Sequence, residues 1–212
     1  MRDALPDDTA IGQLSRRGLI AGALMFSASP AFAAGPSVTI TPADMSLGSP
    51  RARVSVVEFA SLSCPHCADF HARIFPAFKR KYVDTGIVRY TLKESLTAPA
   101  AVAAAGFLLA RCAGPAKYFD VVADVFESQA SWAAVGPRAA LLAVARKAGL
   151  SETRFEACVT DPAALQALSE RTSRDWDAAQ LEGTPTFFVN GRKVEVASLA
   201  DLDAAIAAAR RR

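Results

Sequence analysis

Phe59-Ala60-Ser61-Leu62-Ser63-Cys64-Pro65-His66-Cys67-Ala68-Asp69-Phe70 decides how this chain is read, because a short apolar run ends there in a C-x-x-C pair and a helical pattern begins. Arg53 to Ala60 (RVSVVEFA) is β-branched and apolar with no turn residues, which suits a buried strand. From Pro65 onward, Phe70, Ile74, Phe75, Phe78 and Tyr82 fall at helical spacing and predict a helix that Gly86 stops. A strand turning straight into a helix puts Cys64 at the helix N-terminus, where free N–H groups and the positive end of the macrodipole favour a thiolate. Cys64 is therefore expected to be acidic and reactive. Cys67, one turn further on the same face, feels less of that field and is the expected resolving thiol. Pro65 fits a first helical turn, where a missing N–H costs nothing. His66 can add a donor or a positive charge beside the sulfur, stabilising the reduced thiolate and making the disulfide more oxidising.

The motif admits two other readings. A C-x-x-C is also half of a zinc site, but the other half would have to come from Cys112, Cys158, His66 or His71, none of which forms a second C-x-x-C or an H-x-x-x-H. A purely structural disulfide across two intervening residues would be strained at a helix start. The redox reading is preferred, with no metal and no cofactor.

The 212 residues suffice for one domain with a full core, or one domain carrying an insertion. A hydrophobic fraction of 51% with 21% charged residues is that of a globular chain. The net charge of +3 survives removal of residues 1–33, where Arg2, Arg16 and Arg17 balance Asp3, Asp7 and Asp8, and nothing asks for a nucleic-acid partner. Ser15-Arg16-Arg17-Gly18-Leu19-Ile20 precedes a mildly apolar stretch to Ala28, then Pro30 and the small-residue site Ala31-Phe32-Ala33. This resembles a twin-arginine export signal with Leu19 in place of the usual Phe, cleaved after Ala33; a general secretory signal is the alternative. The apolar run is too short to span a bilayer, which takes about 20 residues. The four cysteines are then expected in an oxidising compartment, the periplasm.

Residues 34–50 read as a loose lead-in with an apolar alternation at Val38 and Ile40, suggesting a short edge strand. Ile87 to Leu92 (IVRYTL) alternates as a strand able to pair beside Arg53 to Ala60, a β-α-β unit that implies a parallel pair. Thr97 to about Leu181 is a helical block of four or five helices, broken at Gly114-Pro115, Gly136-Pro137, Gly149 and Asp161-Pro162, the last an N-cap with Pro at the first helical position. Its aromatics Phe107, Tyr118, Phe119, Phe126 and Trp132 are at spacings that core packing explains. Asn190-Gly191 between Thr186 to Val189 and Lys193 to Val196 is a two-residue hairpin signal, and Ser198 opens a last helix with a capping-box-like start. The order of strand, helix, strand, helical insertion, hairpin and helix, with C-P-H-C at the first strand-to-helix junction, resembles the thioredoxin fold, an α/β architecture with an inserted all-helical subdomain. The bounds are 51–96 with 182–212 for the thioredoxin-like part and 97–181 for the insertion.

Within that fold the chain resembles the DsbA family of bacterial periplasmic thiol–disulfide oxidoreductases. The resemblance rests on Glu58-Phe59 leading into Cys64-Pro65-His66-Cys67, on the central helical insertion, and on Gly183-Thr184-Pro185-Thr186-Phe187-Phe188-Val189-Asn190-Gly191 before the last hairpin. It covers residues 38 to 209. It implies that Pro185 is cis and faces the Cys64–Cys67 disulfide, with the backbone of Thr184 binding the substrate chain. It implies an acid at Glu58, read as a buried carboxylate that helps move protons to or from Cys67; the alternative is a strand-end carboxylate in solvent. Lys93 is read from the sequence as its charge partner. The resemblance also implies a second, structural disulfide between Cys112 and Cys158, as in alphaproteobacterial-like members; two buried free thiols are the alternative. Thr184 also occurs in isomerases and weaker oxidants, where its hydroxyl tunes the sulfurs.

The expected activity is disulfide donation to reduced or unfolded exported proteins, by a monomer, with a quinone-linked membrane reoxidase of the DsbB type as partner. Monomer rather than isomerase dimer follows from the short lead-in after Ala33. The rivals are an isomerase or reductase kept reduced by a membrane electron donor, and a redox-quiet periplasmic chaperone.

Overall fold

The strand that leads to the cysteines is buried on both faces and sits at the centre of the sheet. In the structure, a computed structural model that describes residues 35–211, β1 is Met45–Leu47, β2 Val54–Ala60, β3 Val88–Glu94, β4 Thr186–Val189 and β5 Arg192–Val194. Their order across the sheet is β1-β3-β2-β4-β5. β2 pairs in parallel with β3, from Val54 opposite Val88 to Ala60 opposite Glu94, and antiparallel with β4, Phe59 opposite Thr186. A strand between two others hides both faces, which is why VSVVEFA is apolar almost throughout. The edge strand of the lead-in is Met45–Leu47, antiparallel to β3, and not the Val38–Ile40 alternation. Val38 instead packs beside Val57, Phe59, Phe188 and Trp176. The export-signal reading of residues 1–33 lies outside the described residues.

The first helix is broken where the periodicity predicts one run. α1 is Pro65–Arg73 and α2 is Phe75–Phe78, followed by a π turn at Lys79–Val83. Pro76 has no N–H to donate one turn back and its ring clashes there, so the break falls just before it. Six α-helices follow before β4: α3 Ala100–Cys112, α4 Tyr118–Ser128, α5 Trp132–Val135, α6 Pro137–Lys147, α7 Glu152–Val159 and α8 Pro162–Ala178, with a 3-10 turn at Gln129–Ser131; this is one more than the sequence suggests because α5 is a single turn. Asp161 caps α8 through its carboxylate to the N–H groups of Ala163 and Ala164. Asn190 and Gly191 both have positive φ, as a two-residue hairpin turn requires. α9, Leu199–Arg210, starts at a complete capping box of Ser198 and Asp201.

The alternation of β2 sorts its residues between two cores. Val54, Val56 and Ala60 face the larger one, with Phe70, Phe107, Val125 and Phe126 of the helices, while Val57 and Phe59 face a smaller cluster with Ala179, Leu181 and Phe188. Charged side chains at the β3 end are buried and paired. Glu94 accepts from Arg111 Nε at 2.7 Å and Tyr118 OH at 2.8 Å and is also held by Arg171, which ties α3, α4 and α8 to the strand end. Lys93, 1% exposed, lies between Asp44 and Asp175, each at 2.9 Å. Buried charges persist only when so compensated. Cys112 and Cys158 are joined in a disulfide between α3 and α7, with Cα atoms 6.1 Å apart.

Candidate active site

The loop from Ser61 to Cys64 is held from three sides before the helix starts. Ser63 Oγ donates to the Thr97 carbonyl at 3.0 Å and lies 3.1 Å from Ser61 Oγ, which accepts from Thr97 N–H at 3.2 Å. Gln129, just past the end of α4, donates from Nε2 to the Leu62 carbonyl at 2.8 Å. Gly106 of α3 lets that helix approach closely: a Cβ there would lie 2.9 Å from Leu62 Cδ1. Fixed in this way, Cys64 is the N-cap of α1, with Pro65 in the first turn.

The two sulfurs sit in different environments. Cys64 is 7% exposed and Cys67 fully buried, both as free thiols. The hydrogen bond from Cys67 pulls the Cys64 thiol down to about 5, against the opposing effect of burial, with further help from the Thr184 hydroxyl and the backbone N–H groups of Cys67 and His66. A thiolate at a helix N-terminus is held by such donors. Burial pushes the Cys67 thiol far above its ordinary range, and the hydrogen bond to Cys64 and the charge of Glu58 add to this. One sulfur is thus a thiolate at neutral pH and the other a thiol. His66 acts on Cys64 through its backbone; its side chain is exposed.

Beside Cys64, the Thr184–Pro185 peptide bond is cis. Cys64 Sγ donates to the Thr184 carbonyl oxygen at 3.2 Å. Ala98–Pro99 is also cis, which nothing in the sequence signals. Cys112 and Cys158 belong to the helical insertion and not to this group.

Glu58 is fully buried, which excludes the strand-end reading in solvent. Its partners are Tyr90, which donates to Oε2 at 2.5 Å, and His71, whose Nε2 lies 3.1 Å from the same oxygen. Lys93 is not its partner. Glu58 stands opposite Leu92, and Lys93 opposite Phe59, so the two charges point to opposite faces of the sheet. Burial, and then the charge of Glu58, push the Tyr90 phenol well up, so it remains a donor. His71 and Gln129 are the site residues that sequence reading missed. His71 carries a signal, one turn after Cys67 on α1, although the sequence alone offers it only as a zinc ligand; Gln129 carries none. Chemically the group can hold a stable thiolate that attacks, or leaves from, a disulfide, beside a buried carboxylate.

Residues 40–208 match the family described as Thioredoxin. A Rickettsia bellii protein provisionally named a protein-disulfide oxidoreductase is 33% identical over 165 residues, 77% of this chain and 63% of that protein. A Rickettsia typhi protein with the same provisional name is 34% identical, over 77% of this chain and 60% of its own length. The chain thus spans about three fifths of the curated relatives it matches first. Among solved structures, alpha-DsbA1 of Wolbachia pipientis superposes with a TM-score of 0.71 at 26% identity, covering 80% of this chain and 92% of that one. The family match over residues 40–208 and the superposition on alpha-DsbA1 place the chain in the thioredoxin family as a DsbA-like member.

Proposed function

We propose that this chain is a protein thiol–disulfide oxidoreductase that donates the Cys64–Cys67 disulfide to exported proteins. The observation that carries the reading is the asymmetry of the pair: an acidic thiol, 7% exposed, at the helix start and a fully buried, weakly acidic thiol behind it. A substrate thiolate attacks Cys64 Sγ, the Cys64–Cys67 bond breaks with its electron pair on Cys67, and Cys67 takes up one proton. A second substrate thiolate attacks the substrate sulfur of the mixed disulfide and releases Cys64 as a thiolate, so the substrate leaves oxidised and the enzyme reduced. Stabilisation of that thiolate favours the reduced enzyme and drives the transfer. The Thr184 carbonyl is placed to accept from an extended substrate backbone once Cys64 no longer donates to it. Pro65, His66 and Pro185 shape the groove, and Glu58 serves the proton uptake at Cys67.

The names of the relatives support the coarser role. Residues 1–33 as an export signal, a periplasmic site of action, a monomer, and reoxidation by a quinone-linked membrane partner of the DsbB type complete the proposal. Among the described residues no helix is long and apolar enough to cross a membrane. The test is the redox equilibrium of Cys64–Cys67 in glutathione buffers, read on a Cys112→Ser/Cys158→Ser chain. A pair that stays reduced in fairly oxidising buffer supports the oxidase; one that opens only in strongly reducing buffer points to a reductase or isomerase.

A further inference from the structure

Cys67 must gain a proton each time its disulfide is opened, and it is fully buried. Glu58 is fully buried as well, so it needs a route by which to recover a proton. One titratable side chain bridges that carboxylate to the outside. The His71 side chain is only 6% exposed, its Nε2 is 3.1 Å from Glu58 Oε2, and the same residue lines a surface cavity between α1 and α4 with Pro65, Ala68, Asp69 and Gln129. Its ring is stacked between Phe75, at 4.6 Å, and Phe126, at 4.4 Å, with Phe70 edge-on at 5.4 Å. Three aromatic rings fix the imidazole so that one nitrogen meets the carboxylate.

The occupancy of the carboxylate is lopsided. Tyr90 and His71 both address Oε2, whereas Glu58 Oε1 is buried with no hydrogen-bond partner among the described residues. A buried carboxylate oxygen without a donor is costly, and it is also what an oxygen that takes and gives a proton requires. The groups around the ring are few. On β2 Glu58 meets the ring, on β3 the neutral donor Tyr90 shares its oxygen, on α1 and α4 Asp69 and Glu127 line the same cavity, and α2 contributes the Phe75 ring. Carboxylates therefore flank the ring on the buried side and on the cavity side.

We propose that His71 is the positioning residue that connects Glu58 to solvent and replenishes the proton delivered to Cys67, an inference that rests on the thiol–disulfide reading above. When substrate sulfur bonds to Cys64 and the Cys64–Cys67 bond breaks, Glu58 gives a proton to the Cys67 sulfur. The His71 Nε2 proton passes to Glu58, and water in the cavity restores a proton to the imidazole. The sum is one proton from solvent to Cys67, with no other oxidant or reductant. In the reverse direction the same path carries the proton out.

The test uses the oxidised full chain and reduced glutathione, with acid quenching, alkylation and mass analysis of the Cys64–Cys67 peptide from pH 4 to 9. His71→Gln keeps an N–H within reach of Glu58 but does not titrate; His71→Phe keeps the ring stack but has no nitrogen. Both variants are expected to open the disulfide about tenfold more slowly at neutral pH, below the roughly 10²-fold that a directly contacting acid contributes. Both should also lose the limb of the pH profile that belongs to a histidine. A His71→Gln chain with the wild-type rate and profile overturns the inference, even if His71→Phe is slow, because the role is then structural. A wild-type chain that does not exchange with glutathione overturns the functional reading itself, whereas normal wild-type exchange with unaffected variants removes His71 alone.

Discussion

Cys64 Sγ and the Thr184 carbonyl oxygen meet at 3.2 Å, although 120 residues separate them in the chain. The same residue that offers this acceptor also offers its hydroxyl to the Cys64 thiolate. Thr184 thus meets the reactive sulfur through its carbonyl, and its side chain helps to hold the Cys64 thiol acidic.

The acidity of Cys64 should be readable directly. Titrating the reduced protein by thiolate absorbance, or by the rate of iodoacetamide alkylation, should give a midpoint near 5. Cys67→Ala should raise that midpoint more than Thr184→Val, because the hydrogen bond from Cys67 is the largest of the effects holding it down. The reverse order would mean that the groove, and not the partner sulfur, holds the thiolate.

Stability should follow the same proton. The folded midpoint of Cys64 lies below its unfolded value, so the thiolate stabilises the reduced form fully above about 9 and loses that contribution as pH falls through about 5. Cys67 is a thiol in both states over most of this window and does not offset it. The melting temperature of the reduced protein relative to the oxidised one should therefore increase steadily from pH 5 to pH 8. A difference that is flat over this range contradicts the assignment.

Lys93→Met should destabilise the fold by roughly 3–5 kcal/mol, the cost of removing one member from a buried ion pair. The substitution keeps the aliphatic volume but leaves the Asp44 and Asp175 carboxylates, both 2.9 Å from Nζ, without their cation. Urea unfolding measures it, and a loss under 1 kcal/mol would mean that solvent reaches the pair.

Opening the Cys112–Cys158 bond, which spans 46 positions, should cost about 4 kcal/mol on the chain-entropy account. A Cys112→Ser/Cys158→Ser chain should unfold at correspondingly lower denaturant with an altered denatured-state slope. A shift below 1 kcal/mol would show that the packing of α3 and α7 already restricts the loop.

Local patterns were legible wherever the physics was local. The β2 run, the helix start at Pro65, the Asp161 and Ser198 caps and the Asn190-Gly191 turn each depend on neighbours within a few residues, and each forms where its residues stand. The single long helix from Pro65 was not legible as broken, because periodicity registers the apolar face and not the missing N–H of Pro76. The edge strand at Met45–Leu47 was not legible either, since a three-residue strand has its pairing in β3 and little of its own pattern.

By itself, then, the sequence determined the chemistry on offer: two cysteines at a strand-to-helix junction and an acid on the strand behind. Only the tertiary structure decided who meets that acid. Lys93 is the nearest basic residue on the adjacent strand but lies on the other face, and the odd–even alternation of two strands in register sends it to Asp44 and Asp175. The acid goes instead to Tyr90 and His71. Register between strands is set by packing over the whole sheet, so no window of sequence contains it.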